Sequence, residues 1–393
     1  GPRPRAEVAT GPDGTPVFVT VPALSAAPLQ PARPPAPVTV TDRVLDNGIV
    51  RVELDPDGLF AAVRDLAAGR EVLAAGSRGN LLQLHPDLPS HWDAWDVGRH
   101  YRRVWTDLTT VDSIEVVEAG PLVGAVRVER SFGASRISQT VYLRAGSARI
   151  EVATDLDWHE REKILKVAFP LDVHADRTAA EIQFGHVFRP THTNTSWDAA
   201  RFEVYAHRWI HAGEPGYGVA LLTDSTYGYD ATRGLNPGGG VMTSVRLSLV
   251  RAPRSPDPHA DQGRHRFRYA LLPGAGIAEA VGEAYALNLP LRITPGAGTP
   301  PGALVTVDSP AVAVESVKLA DDRSGDVVVR LYESLGGRAT ARLRPGFALA
   351  GACLTDLLER PLPHGALAAG PDGALALALR PFQVVTLRLA RVS

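Results

Sequence analysis

The sequence is short of sulfur. Cys353 is the only cysteine in 393 residues, and Met242 is the only methionine. A lone cysteine excludes an intrachain disulfide and any zinc site built on cysteine pairs. It also fits a reducing compartment, so the expected location is the cytoplasm. Lysine is scarce as well: Lys163, Lys166 and Lys318 are the only ones, and arginine supplies the rest of the positive charge. The net charge of −2 leaves no broad basic field for nucleic acid or anionic lipid. No apolar run approaches the roughly 20 residues of a membrane-spanning helix. The opening "GPRPRAEVAT" has no apolar stretch of the kind that drives secretion. It also lacks an initiator Met, and it reads as the cut end of something longer.

What is present is a chain of ordinary globular composition, 45% hydrophobic and 21% charged. Its length suits two or three domains. The dominant period is two. In "RISQTVYLRAG" Ile137, Gln139, Val141 and Leu143 share one face, and in "RIEVATDLDW" Ile150, Val152, Thr154, Leu156 and Trp158 do the same. Alternation of this kind marks half-buried strands, because successive side chains point to opposite faces of a sheet. Turns rich in Gly, Pro and Asp, such as "DPDG" at 55–58, separate the runs. Many strands with few helical patterns predict an all-β chain of sandwiches. One helix is expected in "GIAEAVGEAYALN", where Ile277, Val281 and Ala284 fall at helical spacing.

The boundaries follow from composition. Residues 1–37 hold a leading strand, "PVFVTVPAL", and a Pro-rich linker. That strand lacks neighbours for a core and is expected to pair with material outside the chain. Residues 38–294 form one large β unit. Residues 295–393 form a small C-terminal sandwich containing "DVVVRLYE", "ALALALR" and "FQVVTLRLA".

Three stretches carry candidate chemistry. "PSHWDAWDVGRHY" sets Asp93 and Asp96 beside Trp92 and Trp95. Two carboxyl groups are what a glycosidase uses, and tryptophans can floor a sugar ring. The plainer reading is a loop or single helical turn whose tryptophans pack over a sheet edge while the aspartates cap backbone N–H groups. "RPTHTNTSWDAARFEVYAHRW" holds Trp197 and Asp198, and His207 with His211 at i, i+4. Arg208 stands where a zinc-protease helix needs Glu, so a strand "FEVYAHRWI" is expected instead of a metal site. "VRAPRSPDPHADQGRH" crowds Arg251, Arg254, Asp257, His259, Asp261 and His265 into a loop between two strands. Loops of this kind concentrate binding groups, and a loop with so many charges reads equally as a solvated crossing. Cys353 lies in an apolar strand-like run and reads as core.

"WDAWDV", "RPTHTNTSWDAARFEVYAHRW", "GYGVALLTDSTYGYD" and "RLSLVRAPRSPDPHADQGRHRFRYALLP" resemble, in this order, the C-terminal half of family 38 glycoside hydrolases, the α-mannosidases. "LDNGIVRVELDPDGLFAAVRDLAAGREVL" is similar to the opening strands of that family's large β domain, and "LRPFQVVTLRL" to its C-terminal end. The likeness is to the cytosolic and vacuolar branch and its bacterial relatives. It implies a large galactose-mutarotase-like supersandwich followed by a small C-terminal β-sandwich. It also implies that the catalytic residues and the metal, usually zinc, belong to an N-terminal domain that no segment here matches. No catalytic residue, metal ligand or cofactor is therefore expected in this chain. The implied partners are that catalytic domain and a mannose-containing oligosaccharide, and the β region admits a homo-oligomer.

The resemblance places Arg251 at the active-site mouth, with Asp257, His259 and Asp261 on the same loop as substrate-binding residues. Trp92, Asp93, Trp95, Asp96, Trp197 and Asp198 become signature or interface residues, with the aspartates and tryptophans locking a loop onto its own sheet. Two other functions stay open: a stand-alone carbohydrate-binding β-sandwich, and a mutarotase-like epimerase or lyase. The last requires a His and a carboxylate converging on the concave face of a sheet.

Overall fold

Period-two patterning becomes sheet almost throughout. The computed structural model describes residues 4–296 and 299–392. Two units are distinct. The smaller one takes the described residues up to Ala32, Ile182–His186 and those from Arg292 onward, and the larger takes Arg33–Glu181 and Val187–Leu291.

The larger unit is built on three antiparallel sheets. A nine-stranded sheet runs, edge to edge, through Ser113–Ala119, Val123–Phe132, Ser135–Arg144, Ile150–Trp158, Gly263–Pro273, Tyr217–Thr223, Trp209–Glu214, Arg177–Ile182 and Gly185–Pro190. A six-stranded sheet runs through Val204–Tyr205, Gly228–Leu235, Val241–Arg251, Lys163–Leu171, Leu81–Pro86 and Thr106–Asp107. A five-stranded sheet of short strands spans Thr39–Val40 to Arg70–Glu71. The three meet in an aromatic core. Phe169 of the six-stranded sheet lies 6.3 Å from Phe60 and 6.1 Å from Tyr269, ring centre to ring centre. Tyr269 is a buried phenol, so its hydroxyl must be satisfied. It donates to Asn80 Oδ1 at 2.6 Å and accepts from Gln139 Nε2 at 2.7 Å.

The expected helix forms at Ile277–Asn288. Ala280, Val281, Ala284 and Leu287 make its buried stripe and pack on Trp209, Ala220, Leu222 and Leu272 of the nine-stranded sheet. "FEVYAHRWI" departs from expectation. It is not one strand: Val204–Tyr205 belongs to the six-stranded sheet and Trp209–Glu214 to the nine-stranded one. The crossing is pinned by Glu181, whose carbonyl accepts the His207 N–H at 3.0 Å and whose carboxylate holds Arg208 through Nε and Nη2 at 3.0 and 2.6 Å.

In the smaller unit, the strand Pro16–Val21 pairs antiparallel with Arg5–Thr10. The partner expected outside the chain is thus supplied by the residues just before it. The backbone then joins the C-terminal part: the Leu304 N–H donates to the Leu24 carbonyl and the Ala26 N–H to the Pro301 carbonyl, each at 3.3 Å. A three-stranded and a five-stranded sheet enclose a core of Val305, Val329, Leu331, Leu343, Leu375 and Leu387. Cys353 is half-buried on the strand Leu349–Thr355.

Candidate functional site: a roofed polar sheet face and its locked turn

The six-stranded sheet has two unlike faces. Leu165, Val167, Phe169, Val245 and Leu247 point into the core. The opposite face carries Gln83, His85, Lys166, Asp230, Arg246 and Ser248. Pairing brings these together: Lys166 stands opposite Gln83 on one side and Ser248 on the other, and Arg246 stands opposite Asp230. Charged groups on a sheet face would normally sit in water. Here a short 3-10 helix, Arg99–Arg103, and the segment around Glu203 roof them over.

The roof is held by hydrogen bonds. The Tyr101 hydroxyl donates to Glu203 Oε2 at 2.5 Å, and its backbone carbonyl meets His85 Nδ1 at 3.1 Å. Lys166 is 0% exposed. Its ammonium lies 2.7 Å from both Glu203 and Asp230 and 2.9 Å from the Ser248 hydroxyl. Ser248 in turn donates to the other oxygen of Glu203. Arg246 grips Asp230 through Nε and Nη2 at 3.0–3.1 Å, and Arg102 approaches the same carboxylate at 3.7 Å. Burial pushes the Asp230 carboxyl up, but Lys166, Arg246 and Arg102 outweigh it and hold the group below the usual carboxylate range. Burial lowers His85 to about 4, so its ring is neutral at neutral pH. Tyr101 is pushed well above an ordinary phenol by burial and then by the Asp230 and Glu203 charges.

This cluster is the part of the site that sequence reasoning missed. One signal was available: Lys166 interrupts the apolar run "KILKVAFPL", and a lysine there needs a paired carboxylate. A histidine and a carboxylate, His85 and Asp230, do share one sheet face. His85 Nδ1 is taken by the Tyr101 carbonyl, Asp230 is taken by three cations, and Tyr101 covers both. The arrangement binds a roof; it does not present an acid and a base to a sugar.

Beside the roof lies the turn of "PSHWDAWDV". Arg251 ends its strand and reaches into that turn. Its guanidinium pairs with buried Asp87, with Nη2 to Oδ1 at 3.2 Å and Nε on Oδ2. Nη2 also reaches the backbone carbonyls of Asp93, at 2.7 Å, and Asp96, and Nη1 reaches that of Ala94 at 3.3 Å. Burial raises the Asp87 carboxyl, and Arg251 pulls it part of the way back. The planar fork of arginine suits this clamp, since one side chain satisfies a carboxylate and three carbonyls. The Asp93 carboxylate returns the contact by accepting the N–H groups of Arg254 and Ser255 at 2.7 and 2.9 Å. Within the turn, the N–H groups of Trp95 and Asp96 both reach the Trp92 carbonyl. Trp92 itself sits at φ 57°, where a bulky residue is strained.

The aspartate side of this turn therefore locks it to its own sheet, while the tryptophans do not pack over an edge. Trp92 is 72% exposed and Trp95 73%. Asp257, His259 and Asp261 are exposed on the neighbouring loop, where Asp257 Oδ1 accepts the His259 N–H at 2.8 Å and the Asp261 carbonyl meets His265 Nε2 at 2.7 Å. The structure thus brings Arg251 to Asp93 and Asp96. Arg251 is occupied within the protein, and Asp257, His259 and Asp261 face solvent. Trp197 and Asp198 lie on the helix Ser196–Ala200. Thr195 caps that helix, donating to Asp198 Oδ2 at 2.8 Å and accepting the Asp198 N–H at 3.1 Å. Trp197 is 78% exposed. His207 and His211 do not converge: His211 Nε2 meets the Ala275 carbonyl at 2.7 Å, while the His207 ring lies tilted against Tyr227, 5.8 Å between ring centres. Among the described residues no group of three His, Cys, Asp or Glu is placed to hold a metal ion.

Comparison with known proteins identifies the frame around this site. Residues 45–259 match the family described as glycosyl hydrolases family 38 C-terminal domain, and residues 311–387 match the family 38 C-terminal beta sandwich domain. The chain is 42% identical to human alpha-mannosidase 2C1 over 95% of its own length, 35% identical to alpha-mannosidase G of Dictyostelium discoideum over 76%, and 29% identical to the alpha-mannosidase of Saccharomyces cerevisiae over 88%. It spans 37%, 28% and 34% of those proteins. The crystal structure of an alpha-mannosidase from Enterococcus faecalis shares the fold with a TM-score of 0.69 at 17% identity, over 91% of this chain and 42% of that one. The chain belongs to glycosyl hydrolase family 38, and it carries the two β domains of that family's C-terminal region.

Proposed function

We propose that this chain is the C-terminal β region of a retaining α-mannosidase that trims α-linked mannose from oligosaccharides. The observation that supports it is the match to both family 38 C-terminal domains, together with 42% identity to an alpha-mannosidase of which the chain spans 37%. In such an enzyme one carboxylate attacks the anomeric carbon and a second protonates the leaving oxygen. Neither role falls to a residue here. The divalent metal, zinc by the resemblance, is assigned to the region outside the chain.

What this chain supplies is a wall. Asp257, His259 and Asp261 are the exposed groups offered to a mannoside. Arg251 is the positioning residue that fixes the turn beside them. The cytoplasm is the proposed location. No helix of the described residues is long and apolar enough to cross a membrane.

The test is hydrolysis of an aryl α-mannoside by the purified 393-residue chain, with and without zinc. No turnover is expected. Turnover that needs the metal and disappears in Asp93→Asn or Asp96→Asn would overturn the reading. The exposed Trp92 and Trp95 favour one other function, a stand-alone carbohydrate-binding protein. Calorimetric titration with mannobiose separates the two, since only a stand-alone binder releases heat.

A further inference from the structure

The Pro-rich segment 25–37 has no part in the α-mannosidase reading. Its prolines are not scattered. Pro28, Pro31 and Pro34 recur at every third residue, and Pro35 follows. Each proline ring fixes its own φ at about −65°. Each also crowds the residue before it, so Ala27, Gln30, Arg33 and Pro34 are pushed to extended backbone. Leu29 and Ala32 alone keep ordinary freedom within 27–35, and the Ala32 N–H is tied to the Phe18 carbonyl at 2.7 Å. Residues 25–34 accordingly form neither helix nor strand. Such a sequence winds as polyproline II, with three residues per turn and a turn of about 9 Å. The helix then has three edges: Pro28, Pro31 and Pro34 on one, Leu29 and Ala32 on the second, Gln30 and Arg33 on the third. All six residues from Pro28 to Arg33 are exposed. Arg33 is the only charged residue between Asp13 and Asp42, and it has no acidic partner among the described residues.

We propose that "PLQPAR", Pro28 to Arg33, is a docking motif for a separate protein domain whose groove is lined by aromatic side chains and ends in a carboxylate. The chemistry selects this occupant. Proline rings on one edge are rigid, apolar and spaced to enter successive aromatic slots. Arg33, about two residues beyond the second slot, reaches a carboxylate at the groove's end and fixes the direction of docking. One unpaired charge is too little to hold nucleic acid or an anionic membrane. A segment already extended in the free chain gives up little freedom on binding, so a short motif suffices. A groove that meets the proline edge and the arginine edge leaves Leu29 outside. The proposal does not rest on the α-mannosidase reading, because none of these residues belongs to the tryptophan turn or to the roofed sheet face.

Calorimetric titration of the whole 393-residue chain tests this. The probe is a purified SH3 domain that selects arginine two residues after the second proline of P-x-x-P. One domain is expected to bind per chain. Pro31→Ala empties an aromatic slot and Arg33→Glu sets two carboxylates against each other, and each should weaken binding about tenfold or more. Leu29→Ser changes the edge outside the groove and should leave the affinity unmoved. All three positions are exposed, so the fold tolerates the changes, and an unaltered urea midpoint checks that it does. No binding to the whole chain overturns the proposal, whether or not a free peptide of residues 25–37 binds, because the folded protein would then withhold the motif. Binding that Pro31→Ala and Arg33→Glu leave unchanged overturns it as well, since the domain would be held elsewhere.

Discussion

Lys166 and Asp230 stand 2.7 Å apart on adjoining parts of one sheet face, and neither is exposed to solvent. Asp230 serves three cations, Lys166, Arg246 and Arg102, while Lys166 serves two carboxylates. Removing a buried partner costs mainly by stranding the charges left behind. The two deletions should therefore differ. Asp230→Asn removes the one carboxylate that Arg246 grips and leaves Lys166 with Glu203 alone, and it is expected to destabilise the larger unit by about 3–5 kcal/mol. Lys166→Met leaves Asp230 with its bidentate Arg246 contact and should cost clearly less. Urea unfolding of both variants and of the double variant checks this. The double variant should lose less than the sum, and strict additivity would show that the pair is not coupled.

Arg251 makes a second, separable prediction. Arg251→Lys keeps a positive charge for Asp87 but cannot reach the carbonyls of Asp93, Ala94 and Asp96 together. The lost hydrogen bonds should cost about 1–3 kcal/mol, and the loosening should be local. Amide exchange is expected to rise across residues 93–98 while the sheet core stays protected. Arg251→Ala should be worse, because the buried Asp87 carboxylate then has no counter-charge. If Arg251→Lys left exchange at 93–98 unchanged, the clamp would not be what orders the tryptophan turn.

Much of this fold was legible because period-two runs leave little choice of face. "RISQTVYLRAG" and "RIEVATDLDW" became neighbouring strands with Ile137 opposite Leu156 and Val141 opposite Val152, as alternation requires. The helix of "GIAEAVGEAYALN" was equally plain from its small apolar stripe. The site was less legible, since its bonds join residues far apart in sequence. Arg251 reaches Asp87, and Lys166 gathers Glu203, Asp230 and Ser248. No local pattern encodes such pairings. The resemblance placed Arg251 beside a sugar; within the chain its guanidinium holds Asp87 and the backbone of the turn that carries Trp92. The reading of "WDAWDV" as a lock was half of the matter: the aspartate and the backbone lock, and the tryptophans stay outside.

The helix Ser196–Ala200 depends on its cap more than on packing, because none of its residues is buried. Thr195→Ala removes the hydroxyl that accepts the Asp198 N–H and should cost about 1 kcal/mol of local stability. Faster amide exchange over residues 196–200 is expected, with the global unfolding midpoint almost unmoved. Asp198→Ala should behave similarly, and Asp198→Asn should restore most of the protection, since its amide oxygen still accepts from Thr195. A fall in the global midpoint as large as the local loss would mean that this helix is part of the core and not an appendage bearing Trp197.

His85 gives the roof a pH dependence with a definite sign. Burial, aided by Arg246 and Lys166, lowers the ring from an ordinary 6.5 to about 4, against the opposing effects of the Tyr101 carbonyl and Asp230. Between these values the unfolded chain binds a proton that the folded chain refuses. Stability contributed by neutral His85 is therefore complete above pH 6.5 and is lost as pH falls through the window to about 4. Asp230 is held below the usual carboxylate range, so its own contribution survives this window and is lost at lower pH. Subtracting the urea stability of His85→Gln from that of the wild type at each pH isolates the ring from other titrating groups. The difference should shrink steadily from pH 6.5 downward, with a limiting slope of about 1.4 kcal/mol per pH unit for one proton. A difference that stays constant over this range would mean that His85 takes up a proton while the roof is closed, and that Tyr101 does not seal the sheet face from water.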